Sequence, residues 1–125
     1  MPSITHFEIP ADDVGRAQRF YADLFGWTVE KAPGPGDYYF IKTTNYQGGP
    51  GLGGGMIPRQ HPQQQIMNYI DVASIDETAA RLEQLGGRVV VPKTEIPGAG
   101  YFAVCLDTEN NVFSLWEMAA AAQSG

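Results

Sequence analysis

Phe7-Glu8-Ile9, followed by Val14, Ala17, Tyr21 and Leu24 and closed by Gly26, decides the fold because the chain repeats it. Ile70-Asp71-Val72 leads into Ile75, Thr78, Leu82 and Leu85 and closes at Gly87. Tyr21 and Leu82, Leu24 and Leu85, and Gly26 and Gly87 are each 61 residues apart. A β-rich stretch follows each glycine, Trp27-Thr28-Val29 in one half and Val89-Val90-Val91 in the other. A period this long, present twice, describes one domain of two related halves. A solenoid needs at least three copies to cover its core.

Around these segments the elements read βαβββ, twice. Alternation over Ile4 to Ile9 sets Phe7 and Ile9 on one face and His6 and Glu8 on the other. Pro10 is expected to end that strand, and Asp12 or Asp13 to cap a helix carrying Val14, Ala17, Tyr21 and Leu24 on one side. Gly26 is placed to stop it. Strands at Trp27 to Glu30, Tyr38 to Thr43 and Leu52 to Ile57 complete module one, about residues 3–57. Pro58 to Gln65 is polar, holds two prolines and has no periodicity, so it reads as a linker. Module two, about residues 66–118, opens with a strand from Ile66 to Val72. Its helix starts at Ser74 and Glu77, three apart as in a capping box. Strands at Arg88 to Val91, Tyr101 to Leu106 and Val112 to Trp116 follow, the last two joined by a turn at Asp107 to Asn111. Ala119 to Gly125 reads as a frayed tail. Antiparallel runs with one helix per half make the class α+β.

Composition narrows the partners. At 125 residues and 43% hydrophobic, the chain can hide about two-thirds of its unfolded surface in one core. No apolar run approaches the ~20 residues of a membrane-spanning helix. Net charge of −6 argues against nucleic acid and anionic membranes, both of which want a basic face. A single cysteine, Cys105, excludes an internal disulfide and agrees with a cytoplasmic location. A small molecule, another protein or a second copy of this chain is the expected partner.

The motifs resemble a known superfamily. His6-Phe7-Glu8-Ile9-Pro10, Asp13, Arg16-Ala17, Phe20-Tyr21 and Leu24-Phe25-Gly26-Trp27 look like the opening of the vicinal oxygen chelate proteins, the glyoxalase, bleomycin-resistance and extradiol-dioxygenase group. Leu85-Gly86-Gly87 and Asp107-Thr108-Glu109-Asn110-Asn111-Val112-Phe113-Ser114-Leu115-Trp116-Glu117 resemble its second half. The resemblance spans residues 4 to 117. It implies two βαβββ modules forming a curved, half-barrel mixed sheet, helices on the outer face and a ligand pocket on the concave one. It also implies a homodimer.

Metalloenzymes of that superfamily hold one divalent ion with His and Glu side chains. The resemblance maps the first of these positions onto His6 and the second onto Leu52-Gly53-Gly54-Gly55, which offers no donor. It maps the third onto Tyr69, or Asn68 if the register slips by one, and the last onto Ser114. Only His6 is retained. The expectation is therefore no cofactor, or at most a divalent metal in a rearranged site using His6, Glu8 and Asp71. The expected pocket residues are His6, Glu8, Gly54, Tyr69, Asp71, Ser114 and Trp116, the aromatics supplying apolar surface and the polar groups orientation. Glu117 falls on the face opposite Ser114 and is expected in solvent. His61 reads as a surface residue and Cys105 as a small buried hydrophobe. Gly48 to Gly55 lacks the Lys-Ser/Thr of a phosphate loop. Three functions remain: a small-molecule-binding protein, a metal-dependent lyase, isomerase or dioxygenase, and a non-catalytic assembly domain.

Overall fold

The computed structural model describes residues 2–120. Among them are two helices and eight strands in the order β1 (Ile4–Ala11), α1 (Val14–Phe25), β2 (Thr28–Lys31), β3 (Tyr39–Lys42), β4 (Gly54–Pro58), β5 (Met67–Asp71), α2 (Ile75–Gln84), β6 (Arg88–Ile96), β7 (Gly100–Leu106) and β8 (Val112–Met118). This is βαβββ twice over, and the class is α+β. The contacts fall into two units, His6–Ile66 and the residues up to Thr5 together with those from Met67 on.

In the first unit β1 runs parallel to β4, while β2, β3 and β4 are antiparallel, in the order β2-β3-β4-β1. Ile9, Ala11, Val29, Ile41 and Met56 form its buried core, with Phe7, Val14, Ala17, Tyr21, Trp27 and Tyr39 packed against it. Asp13 caps α1, its carboxylate accepting from Arg16 N at 3.0 Å, and Gly26 ends it at φ 74°. That left-handed conformation carries a penalty for any residue with a Cβ. Contrary to expectation, Pro10 does not end β1. Arg59 N donates to Ala11 O at 2.9 Å, so Ala11 directs its polar groups toward β4. Successive residues of a strand alternate edges, so the missing N–H of Pro10 takes nothing from that ladder.

The second unit repeats the plan. β5 runs parallel to β8, and β6, β7 and β8 are antiparallel. Val72, Ile75, Ala103, Cys105 and Leu115 are its buried core, joined by Ile70, Leu82, Val89, Tyr101 and Phe113. Ser74 caps α2, accepting from Glu77 N at 3.2 Å. β6 continues to Ile96, five residues past the expected Val91, through register shifts between Val89 and Thr94. The strand tolerates Pro92 because the shifts interrupt the ladder there. Ala119, expected in the tail, donates its N–H to Ala99 O at 3.0 Å, and residues 121–125 of that expected tail lie outside the described residues.

Candidate functional site

In each unit the core residues turn toward the helix, which leaves the alternate residues on the other face of the sheet. In the first unit Phe7, Ile9, Ile41 and Met56 turn toward α1. His6, Glu8, Phe40 and Gly55 fall on the opposite face by the β1–β4 and β3–β4 registers, which pair Glu8 with Gly55 and Gly55 with Phe40. His6 and Glu8 are where alternation puts them.

Tyr38, just before β3, joins them. Its hydroxyl oxygen lies 2.9 Å from His6 Nε2. Its ring meets Phe40 edge-on, centroids 5.4 Å apart at 78°. Gly55 makes this seat possible, because a Cβ there would stand 2.0 Å from the Tyr38 oxygen and 2.4 Å from its Cζ. Any side chain at position 55 would displace the phenol.

Burial lowers the pKa of His6, so the imidazole is held neutral. Burial and the negative charge of Glu8 push Tyr38 up to about 12, so the phenol keeps its proton at neutral pH. The cluster therefore sets a neutral imidazole against a protonated phenol, with a carboxylate as neighbour and an aromatic wall in Phe40.

Gly54 is not part of it. It pairs with Phe7, and a Cβ there would meet the Phe7 ring at 2.7 Å, on the α1 side of the sheet. The expectation missed by one residue, which in a strand is a change of face. Gly55 is the bare position beside the cluster.

In the second unit Tyr69 pairs with Ser114 and Asp71 with Trp116, so these four share the face turned away from α2. The alternative register, with Asn68 in place of Tyr69, is not the one adopted. Phe102 and Val104 extend this face through their pairs with Trp116 and Ser114. Trp116 lies against Gly100, where a Cβ would come within 2.9 Å of its ring. Each unit thus seats one aromatic of this face over a glycine. Ser114 is fully buried, and its hydroxyl donates to Ala103 O at 3.1 Å.

Two residues escaped the sequence reading. Tyr38 entered the sequence reading as the start of an expected strand, and it stands 32 positions from His6 in sequence. Glu117, expected in solvent, accepts from Ile75 N at 2.8 Å and lies 3.8 Å from Lys93. Its carboxylate covers the positive end of α2 from a neighbouring strand. Glu117 is a structural cap. The sequence signal was its position on the helix face, together with the bare N-terminal amides of α2.

The donor set implied by the resemblance does not fit a divalent ion in this chain. The β4 position is glycine, the Ser114 hydroxyl donates to backbone, and His6 Nε2 faces a phenol. Among the described residues no three His, Cys, Asp or Glu side chains are grouped to hold a metal. A cleft of about 360 Å³ exists elsewhere, at the N-terminus of α1, lined by Asp12, Asp13, Arg16, Phe20, Tyr21 and Arg59 among others. It opens on the helix side of the sheet and touches none of the expected site residues. Arg59 is tied there to Asp12 at 2.9 Å.

Comparison with known proteins agrees with the fold. Residues 3–43 match the family model described as bleomycin resistance protein-like N-terminal. A glyoxylase-like domain-containing protein of Didymella fabae is 30% identical over 118 residues, covering 90% of this chain and 91% of that one. The anthracycline biosynthesis protein DnrV of Streptomyces peucetius is 28% identical over 127 residues, covering 88% of this chain and 45% of its own length. The chain spans less than half the length of the first curated relatives that it matches. Among solved structures, a methylmalonyl-CoA epimerase of Streptomyces coelicolor in complex with 2-nitronate-propionyl-CoA superposes with a TM-score of 0.68 at 15% identity, over 94% of this chain and 95% of that one. At that identity the likeness is one of fold.

Proposed function

The chain belongs to the vicinal oxygen chelate superfamily, in its glyoxalase- and bleomycin-resistance-like group, and from that premise we propose that it binds a small molecule without a metal ion. The observation that carries this reading is the His6–Tyr38 contact at 2.9 Å. The one imidazole retained from the superfamily's ligand set is engaged by a phenol, on a face walled by Phe40. The second unit, by itself, presents Tyr69, Asp71 and Trp116 on its own face turned away from α2. Such a face recognises a ligand by apolar contact fixed by a few polar groups. The acidic balance of the chain suits a ligand carrying positive charge. The working form is a cytoplasmic homodimer. Among the described residues no helix is long and apolar enough to cross a membrane.

A second reading has one observation in its favour. His6 and Glu8 stand two residues apart on the same face, a start toward the site of a lyase, isomerase or dioxygenase that uses a divalent ion as Lewis acid. Elemental analysis of the purified protein, run beside a thermal-shift screen of divalent metals and of small cationic and aromatic compounds, separates the two. Binding without metal predicts no stoichiometric ion and a ligand-induced rise in Tm that Trp116→Ala abolishes. Stoichiometric metal that disappears in His6→Ala overturns it in favour of the enzyme.

A further inference from the structure

We propose that Tyr38, seated on Gly55, is the partner that replaces a metal ion at His6: its hydroxyl donates to Nε2, and the resulting phenol–imidazole pair is the polar recognition element of this face. The inference deepens the binding reading above and rests on the helix-free face being the ligand side.

Three observations converge on it. The Tyr38 oxygen lies 2.9 Å from His6 Nε2, within hydrogen-bond distance. The seat is sterically dedicated, since a Cβ at position 55 would fall 2.0 Å from that oxygen. With no side chain at position 55, the phenol occupies the space that a β4 side chain would take. Phe40 then fixes the ring from the side, 5.4 Å away and edge-on.

Burial first, and the charge of Glu8 second, keep the proton on the phenol oxygen, and burial favours a neutral imidazole, so the hydroxyl is able to donate and Nε2 to accept. With Nε2 accepting, the ring proton belongs on Nδ1. A nitrogen whose lone pair receives a phenol proton is closed to a metal ion. What a bound ligand meets is a fixed, uncharged hydrogen-bonding pair beside a carboxylate. The chemistry that fits is a polar group hydrogen-bonded to imidazole and phenol, on an aromatic or aliphatic body resting against Phe40.

The test is ¹⁵N NMR of the two histidines, with and without zinc. His6 is expected as the Nδ1–H tautomer with Nε2 accepting, unmoved by equimolar Zn²⁺. Tyr38→Phe removes the donor and keeps the ring, so the fold is preserved. It should shift the Nε2 resonance away from its hydrogen-bonded position. Gly55→Ala should produce the same change by evicting the phenol. Gly53→Ala, whose Cβ would meet only Ile41 O at 3.7 Å, should leave His6 as it is. His61, exposed in the linker, is the internal reference. An Nε2–H tautomer in the wild type, or an Nε2 resonance that zinc moves stoichiometrically, overturns the proposal. A His6 spectrum identical in wild type and Tyr38→Phe does so too. None of these outcomes depends on ligand binding, so the broader reading can fail separately.

Discussion

Tyr38 keeps its proton because leaving it behind would place a phenolate in a half-buried site beside Glu8. Its pKa rises from 10.0 to about 12 on folding. Folding stability is therefore unaffected by this group below about pH 10 and falls as pH climbs from there toward 12, where the unfolded chain ionises first. Base titration followed by circular dichroism should show this loss in the wild type and a smaller one in Tyr38→Phe. His6 runs the other way. Its pKa is lowered, so its contribution is full above the ordinary value of 6.5 and declines as pH drops through the folded value. At the core, Met56 is completely buried among Ile9, Ala11, Val29 and Ile41. Met56→Ala should destabilise by about 2–5 kcal/mol in urea denaturation, through lost transfer energy and the cavity left behind. That Tyr38 meets His6 was hidden, because an aromatic before a strand carries no mark of which side group it will meet.

At the level of elements, the helices are written into their ends. Asp13 and Ser74 each accept from a backbone N–H three residues on, and Asp13→Ala or Ser74→Ala should each cost about 1 kcal/mol in chemical denaturation. α2 has a second device that α1 lacks, the Glu117 carboxylate on Ile75 N. Glu117→Ala should destabilise by roughly 1–3 kcal/mol, because a charged acceptor on a helix-end amide is lost, whereas Glu117→Gln should retain part of the bond. Strand limits were less legible than helix limits. β1 ran past Pro10 and β6 past Pro92, since a proline breaks a strand only where its missing N–H was needed. Which edge a given N–H faces is a matter of register, and alternation in one strand does not report it. The same ignorance misplaced Gly54 by one residue.

Across the whole molecule, the prediction is association. If the chain works as a homodimer, sedimentation equilibrium should give twice the 13.6 kDa chain mass, and Tm should rise with protein concentration. A single 13.6 kDa species with a concentration-independent Tm would be the contrary result. The sequence by itself determined the duplicated βαβββ plan, the α+β class, the apolar face of each helix, the caps and the glycine stop after α1. All of these are local: periodicity, caps and turn chemistry act within a few residues of one another, so a linear reading captures them. It also carried the resemblance, which maps the superfamily's ligand positions onto His6, residues 52–55, Tyr69 or Asn68, and Ser114. Only the tertiary structure decided which side chains meet His6. Tyr38 reaches His6 across 32 positions, through two strand pairings whose register fixes that Gly55, and not Gly54, lies beneath the phenol. Contacts of that kind come from the packing of distant segments. No spacing within the chain encodes them.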